Sequence, residues 1–159
     1  MTGWADFAVV LGAATASLLG LLFVAVSIRV EAIAKSAELR NRSAQTLTLL
    51  LTGVLVAVLL AVPDQRMWVL GAEYLVLAVV VTGVAVVLDH RAGDESGSTL
   101  GRLLDAINPT FVTCSLLAVA GVVLILDHKS GLYFLIPAVI AVLIGGVVNA
   151  WLILVRLTD

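Results

Sequence analysis

A stripe of small and hydroxyl-bearing residues runs along the first apolar segment and ends in a carboxylate. Its members alternate steps of four and three residues, which places them on one side of an α-helix because residues at those spacings are neighbours on a helix surface. Hydroxyl groups leading to a carboxylate at the mouth are typical of a cation pathway. The stripe begins at Ala13, and its candidate pore-lining residues are Ser17, Gly20, Val24, Ser27 and Glu31.

The same stripe also has a structural interpretation. Serine hydroxyls in helices bond the carbonyl of the preceding turn, and small residues permit close packing between helices. Glu31 stands four residues before Lys35, so it is also typical of a solvated ion pair. A pathway needs several copies of this helix around one axis. The pore interpretation therefore implies a homo-oligomer and a small permeant ion.

Glu73 and Asn149 are further polar residues within apolar segments. Polar groups at membrane depth are costly, which makes each a functional candidate. Glu73 is expected near the outer interface, where it binds a cation, lines a vestibule, reaches the headgroups or pairs with Arg66. Asn149 either forms a hydrogen bond across helices, worth about 1 kcal/mol, or contributes to permeation.

Other kinds of chemistry find no support in the sequence. The net charge is −2, so no basic field indicates nucleic acid as a partner. The single cysteine, Cys114, has no partners that would complete a zinc site, and neither a G-x-S-x-G elbow nor a phosphate-binding P-loop is present. We therefore expect no enzyme activity, no cofactor and no metal.

Composition explains how such residues are positioned. The chain is 62% hydrophobic and 13% charged, whereas globular domains average about 25% charged residues. The excess apolar surface must face lipid, so the bilayer itself is a partner. The sequence predicts an all-α bundle forming a single transmembrane domain over 1–159. Its five transmembrane helices are expected at about 5–30, 43–62, 68–88, 109–126 and 132–157, with cytoplasmic loops at 31–42 and 89–108.

Small residues at helical spacing predict where these helices pack. The first helix carries three of them and is expected to be the central packing element, because lipid-embedded helices associate through small faces. The chain is expected to turn near Asn41 before the second helix. The packing candidates are Gly12, Ala16 and Gly20 in the first helix, Gly53, Ala57 and Ala61 in the second, and Ala141 and Gly145 in the fifth.

The distribution of basic residues predicts the orientation. Lys and Arg accumulate in cytoplasmic segments. With the N-terminus outside, the inner segments hold Arg29, Lys35, Arg40, Arg42, Arg91, Arg102 and Arg156, and the outer segments hold only Arg66 and Lys129. The N-terminus is therefore expected outside and the C-terminus in the cytoplasm.

Two short motifs carry a resemblance to a known group of proteins. They are GLLFVAVS at 20–27 and VNAW at 148–151. With them the chain resembles a family of small bacterial multi-pass membrane proteins that has no assigned activity. The resemblance implies a multi-pass protein of the bacterial inner (cytoplasmic) membrane. Two functions stay open: a homo-oligomeric channel or permease-like protein with the first helix near the subunit axis, or a non-catalytic accessory protein that binds another membrane protein.

Overall fold

The computed structural model describes residues 2–92, 109–126 and 129–156. Within these ranges the fold is all-helical, as predicted, and has no strand. Most of the predicted loop 89–108 and the last residue of the predicted fifth helix lie outside the described residues. The helices are α1 (Thr2–Ile28), α2 (Val30–Lys35), α3 (Ala37–Ala61), α4 (Met67–Ala92), α5 (Pro109–Ile125) and α6 (Leu135–Arg156), with a 3-10 helix at Lys129–Phe134.

Four stretches are long and apolar enough to cross a bilayer. They lie in α1, α3, α4 and the unit formed by the 3-10 helix and α6, and α5 is a shorter apolar helix. The chain is therefore a membrane-embedded helical protein. The four stretches are Gly3–Ile28, Leu39–Ala61, Met67–Leu88 and Ser130–Val155.

The reversal between α1 and α3 occurs at Ser36 and not at Asn41. Ser36 is extended, with φ −115° and ψ 116°, and its hydroxyl oxygen accepts a hydrogen bond from the Leu39 amide at 3.4 Å. This is the arrangement of an N-cap, which fixes the start of a helix. Segment 31–42, expected as a cytoplasmic connection with good helix formers, is helical except at Ser36. α1 breaks at Arg29, where φ is −110° and ψ is 22°, and α2 follows directly.

A tight turn joins α3 to α4. α3 ends at Ala61 because Val62 precedes a proline and is extended, with φ −63° and ψ 122°. Asp64 has a φ of 53°, in the left-handed region that Asp tolerates better than most residues. The turn makes α3 and α4 packed neighbours.

The central helix is α3, which corrects the expectation for α1. α3 packs against α1, α4 and α6, whereas α1 packs mainly against α3 and meets α6 only along an edge. The spacing of small residues in α1 gave the wrong answer because it does not reveal on which side a neighbour lies. On α3, Leu49, Leu50 and Thr52 are almost completely buried.

A close backbone crossing joins α4 to α5. A Cβ atom on Gly71 would lie 2.6 Å from the carbonyl oxygen of Gly121, and one on Gly121 would lie 2.7 Å from that of Gly71. The two backbones therefore touch at this point. Around it lies a core of large buried side chains that includes Leu11, Leu70, Tyr74, Leu117, Leu124 and Leu135.

Candidate functional site on the outer surface of the bundle

The two sides of α1 have opposite environments. The buried positions are Ala8, Leu11, Thr15 and Leu22, which face α3 and α6. The predicted stripe lies on the other side of the helix and points away from the bundle. All of its candidate pore-lining residues are exposed, namely Ser17, Gly20, Val24, Ser27 and Glu31.

The stripe is not one continuous helical line. Ser27 donates a hydrogen bond to the Phe23 carbonyl at 2.8 Å, so its hydroxyl is partly engaged with its own helix. Ser17 makes no side-chain hydrogen bond with the residues that the structure describes. Glu31 belongs to α2, beyond the break at Arg29. The stripe therefore consists of an α1 part inside the apolar layer and a carboxylate on the next helix.

The small residues of α1 have different surroundings from one turn to the next. A Cβ on Gly12 would lie 3.3 Å from the Cβ of Ala57, so these two packing candidates meet across the α1–α3 contact. Ala16 is exposed, and a Cβ on Gly20 would meet nothing within 4 Å. Of this predicted face, only Gly12 is used against another part of the described bundle.

Two of the packing candidates on α3 and α6, Gly53 and Gly145, lie at three-helix junctions. A Cβ on Gly53 would lie 2.6 Å from Thr15 Cγ2 and 3.1 Å from Val142 Cγ1, so α1, α3 and α6 converge there. A Cβ on Gly145 would overlap the ring of Pro109 at the start of α5 and would lie 3.2 Å from Leu49 Cδ2. Ala141 is half-buried, and Ala61 is exposed at the end of α3.

An apolar groove, here called the α1–α3 groove, runs beside the stripe. The sequence did not predict it, because a groove depends on the relative rotation of two helices and no single periodicity reports that. Its volume is about 480 Å³. The groove is lined by Ala16, Leu19, Gly20 and Phe23 from α1 and by Leu47, Thr48 and Leu51 from α3.

Glu73 lies in a second groove, here called the Glu73 groove. Its carboxylate accepts a hydrogen bond from the Gln65 side-chain amide, and no cationic side chain among the described residues pairs with it. Of the alternatives given for Glu73, the pairing with Arg66 is not formed. Glu73 is half-buried. The groove measures about 420 Å³ and is lined by Leu59, Trp68, Val69, Ala72, Glu73, Val76, Leu77 and Val80.

Asn149 is separate from both grooves. It is half-buried in α6, and its amide makes no hydrogen bond with the part of the chain that the structure describes. The cross-helix hydrogen bond expected from the sequence is therefore not seen. Asn149 does not join Glu73 or the stripe in one site.

Tyr74 is a buried polar residue beside Glu73. Trp68, near the start of the same helix, is 55% exposed, but Tyr74 is fully buried. Its hydroxyl has no hydrogen-bond partner in the described chain. Aromatic contacts are made by Trp4, whose ring meets Phe7 edge-on at 5.6 Å and Tyr133 at 5.7 Å.

The described residues contain no group of three or more His, Cys, Asp or Glu side chains that could hold a metal ion. The features that remain are the exposed stripe, the α1–α3 groove and the Glu73 groove, all on the outer surface. No protein-family model, curated protein or solved structure matches this chain.

Proposed function

We propose that this chain forms a homo-oligomeric channel or permease-like assembly in the bacterial cytoplasmic membrane, with α1 near the subunit axis. The observation that carries the proposal is the exposure of Ser17, Gly20, Val24, Ser27 and Glu31 on the outer side of α1. A pore between subunits is lined by residues that each subunit presents outwards. A stripe buried against α3 would be incompatible with this function.

The proposed assembly has five spans per subunit, with the N-terminus outside and the C-terminus in the cytoplasm. The shortest of these proposed spans is α5, which has 17 residues. At about 1.5 Å per residue it extends about 26 Å, at the lower limit of what spans a bilayer. It packs along α4, which itself qualifies as a span. The seven-to-two distribution of Lys and Arg supports this orientation.

The surfaces beside the stripe support a ring. A closed ring needs two different surfaces that fit each other, one on each side of the subunit. On one side of the stripe lies the α1–α3 groove. On the other side, Val10, Leu21 and Ile28 project from α1 and are 68%, 70% and 73% exposed. They share one line of the helix, because steps of eleven and seven residues are close to whole numbers of turns. In the proposed ring, these side chains enter the groove of the next subunit.

Disulfide cross-linking in membranes tests the proposed axis. Cys114 is the only cysteine, so a Cys114→Ala chain provides a background without thiols. Ser17→Cys and Val24→Cys, near the axis, should form intersubunit disulfides on mild oxidation. Leu11→Cys, on the buried side of the same helix, is the matched control and should stay monomeric. If Leu11→Cys cross-links as well as Ser17→Cys, α1 is not oriented as proposed.

Ion flux into proteoliposomes tests the activity. The proposal expects flux in the wild type and its loss in Gly20→Trp, which places a large ring on the exposed stripe. Gly83→Trp on α4 is the control, because a Cβ there also meets nothing within 4 Å. If the wild type forms oligomers of normal size but conducts no ion, the chain is not a channel. The proposed interface between subunits would still stand.

The second candidate is a non-catalytic accessory protein that binds another membrane protein. The same exposed small-residue side of α1 favours it, because such faces permit close approach of any partner helix. Purification from native membranes in mild detergent separates the two functions. A recurring partner of a different sequence, bound to a monomer of this chain and lost in Gly20→Trp, would favour the accessory function.

A further inference from the structure

We propose that the Glu73 groove binds a lipophilic amine in its protonated form, that is, an ammonium group with N–H donors attached to an apolar body. The groove is built by α4 and the end of α3 and shares no residue with the stripe on α1. The inference therefore does not depend on the proposed function, and each can fail without the other.

The charge of the ligand follows from the environment of Glu73. The carboxylate is half-buried within the apolar stretch Met67–Leu88, and its one hydrogen-bond partner among the described residues is the uncharged amide of Gln65. No cationic side chain of the described chain compensates it. An ionisable group within the membrane is costly unless it is paired. A cationic ligand would provide the missing partner, whereas an anion would be repelled.

The N–H donors follow from the acceptor capacity of Glu73. Its carboxylate accepts a hydrogen bond from the Gln65 side-chain nitrogen. An ionised carboxylate offers about four acceptor positions on its two oxygens. A protonated amine can donate to one of the positions that remain, whereas a quaternary ammonium has no N–H donor.

The apolar body follows from the walls of the groove. Beyond Glu73 the lining along α4 consists of Val76, Leu77 and Val80. A volume of about 420 Å³ lies within the range of sites that hold small organic ligands. A hydrated inorganic cation would not use these walls. Trp68 is 55% exposed beside them and offers an aromatic face to a cation.

Trp68 also provides a reporter for the test. The chain has three tryptophans, so a Trp4→Phe, Trp151→Phe background leaves Trp68 alone. The protein is placed in phosphatidylglycerol nanodiscs, and the probe is 11-bromoundecylamine, whose bromine quenches a tryptophan in contact. We expect saturable quenching by the amine. The trimethylammonium analogue should bind at least fivefold more weakly and the bromoalkyl alcohol at least tenfold more weakly.

Variants assign the binding to the carboxylate. Glu73→Gln should weaken amine binding at least tenfold. Asp6→Asn, which removes an exposed carboxylate on α1, is the control and should leave amine binding unchanged. Equal quenching by amine and alcohol in the background protein would overturn the proposal without relying on any of these variants. Unchanged binding by a folded Glu73→Gln chain would do so too.

The ammonium group could also belong to a lipid. The titration is therefore repeated in nanodiscs rich in phosphatidylethanolamine, whose headgroup carries a primary ammonium. We expect the amine to bind with at most a twofold change in midpoint. If phosphatidylethanolamine abolishes binding, the groove is a lipid site and the proposal of a free amine is wrong.

Discussion

Gly71 and Gly20 occupy equally apolar helices but meet opposite surroundings. A Cβ at Gly71 would lie 2.6 Å from the carbonyl oxygen of Gly121, and a Cβ at Gly20 would meet nothing within 4 Å. The first glycine lets two helices of one chain touch through their backbones. The second leaves a smooth patch on the outside of the bundle. The same residue type therefore allows close helix packing within the subunit in α4, whereas in α1 no helix of the described bundle packs against it.

The difference teaches how small residues in a membrane chain should be interpreted. Lipid satisfies a large apolar side chain as well as a protein neighbour does, so a small residue gives an advantage only where something packs against it. An exposed small residue within the bilayer has no partner inside its own chain. Such residues therefore mark the surfaces that are available to a second chain, and Ser17, Gly20 and Ser27 form one of them.

The largest effect is expected from filling the α4–α5 crossing. Gly71→Leu would place a side chain against the Gly121 carbonyl and the backbone of Ile125, and backbone atoms cannot move aside as a side chain can. Overpacking of this kind costs typically 1–3 kcal/mol, and we expect about 3 kcal/mol here. The measurement is the free energy of unfolding in mixed detergent micelles.

Gly83→Leu is the matched control for that change. It lies in the same helix and introduces the same side chain, but a Cβ there would meet nothing within 4 Å. Its free energy of unfolding should stay within about 0.5 kcal/mol of the wild type. If both variants lose the same stability, the loss comes from helix propensity or insertion and the close crossing is not responsible.

The sequence predicted the elements better than their arrangement. Long apolar segments and Pro63 define α3 and α4 whatever their neighbours are, because both signals are local. The Ser36 cap was missed because Glu31 to Arg42 has good helix formers throughout, so no break was evident at that serine. The choice of α3 as the central helix depends on contacts between distant segments, which periodicity in one segment does not encode.

The candidate site was predictable in part for the same reason. Helical spacing correctly grouped Ser17, Gly20 and Val24 on one side of α1, but it could not say whether that side faces α3 or lipid. The Gln65 contact of Glu73 depends on the turn at Asp64, which folds Gln65 back onto α4. Neither Gly71 nor Gly121 has a small residue four positions before or after it. The search for small residues at four-residue spacing therefore missed both.

A smaller effect should distinguish the two glycines of α1. A Cβ atom on residue 12 would already lie 3.3 Å from the Cβ of Ala57. The longer side chain of Gly12→Leu would therefore press against Ala57. We expect a loss of about 1–2 kcal/mol in the free energy of unfolding of the monomer. Gly20→Leu should leave that quantity unchanged within about 0.5 kcal/mol and should instead reduce self-association.

Two measurements on each variant check this distinction: unfolding at low protein concentration and the oligomer distribution in nanodiscs. The proposed assembly requires that Gly12→Leu affects mainly the first measurement and Gly20→Leu the second. A Gly20→Leu chain that is destabilised as a monomer would show that α1 has a neighbour on its exposed side within the subunit.

Tyr74→Phe is expected to stabilise the protein slightly. The Tyr74 hydroxyl is buried in the core, with no hydrogen-bond partner in the described chain. An unsatisfied buried polar group costs about 1–3 kcal/mol. Its removal should therefore raise the free energy of unfolding by about 1 kcal/mol, with the ring packing retained. A decrease would reveal a partner for the hydroxyl, such as a bound water molecule.

The smallest effects on stability should come from the hydroxyls on opposite sides of α1. Thr15 donates to the Leu11 carbonyl at 2.7 Å, and Ser27 donates to the Phe23 carbonyl at 2.8 Å, but only Thr15 is buried. In both cases the carbonyl accepts from its own helix as well. Thr15→Val keeps the shape of the side chain, and Ser27→Ala shortens one that is solvated by lipid or pore water. Each should change the free energy of unfolding by less than about 0.5 kcal/mol.

The same two substitutions should differ in transport. Thr15 contacts only the interior of its own subunit, so Thr15→Val should leave ion flux unchanged. Ser27 would line the proposed pathway, and replacing its hydroxyl by a hydrogen atom removes a polar contact for a passing ion, so Ser27→Ala should lower flux severalfold at unchanged oligomer size. Equal flux in both variants would show that the exposed side of α1 is a packing surface, because a polar group in a pore affects conduction even where it contributes nothing to the fold.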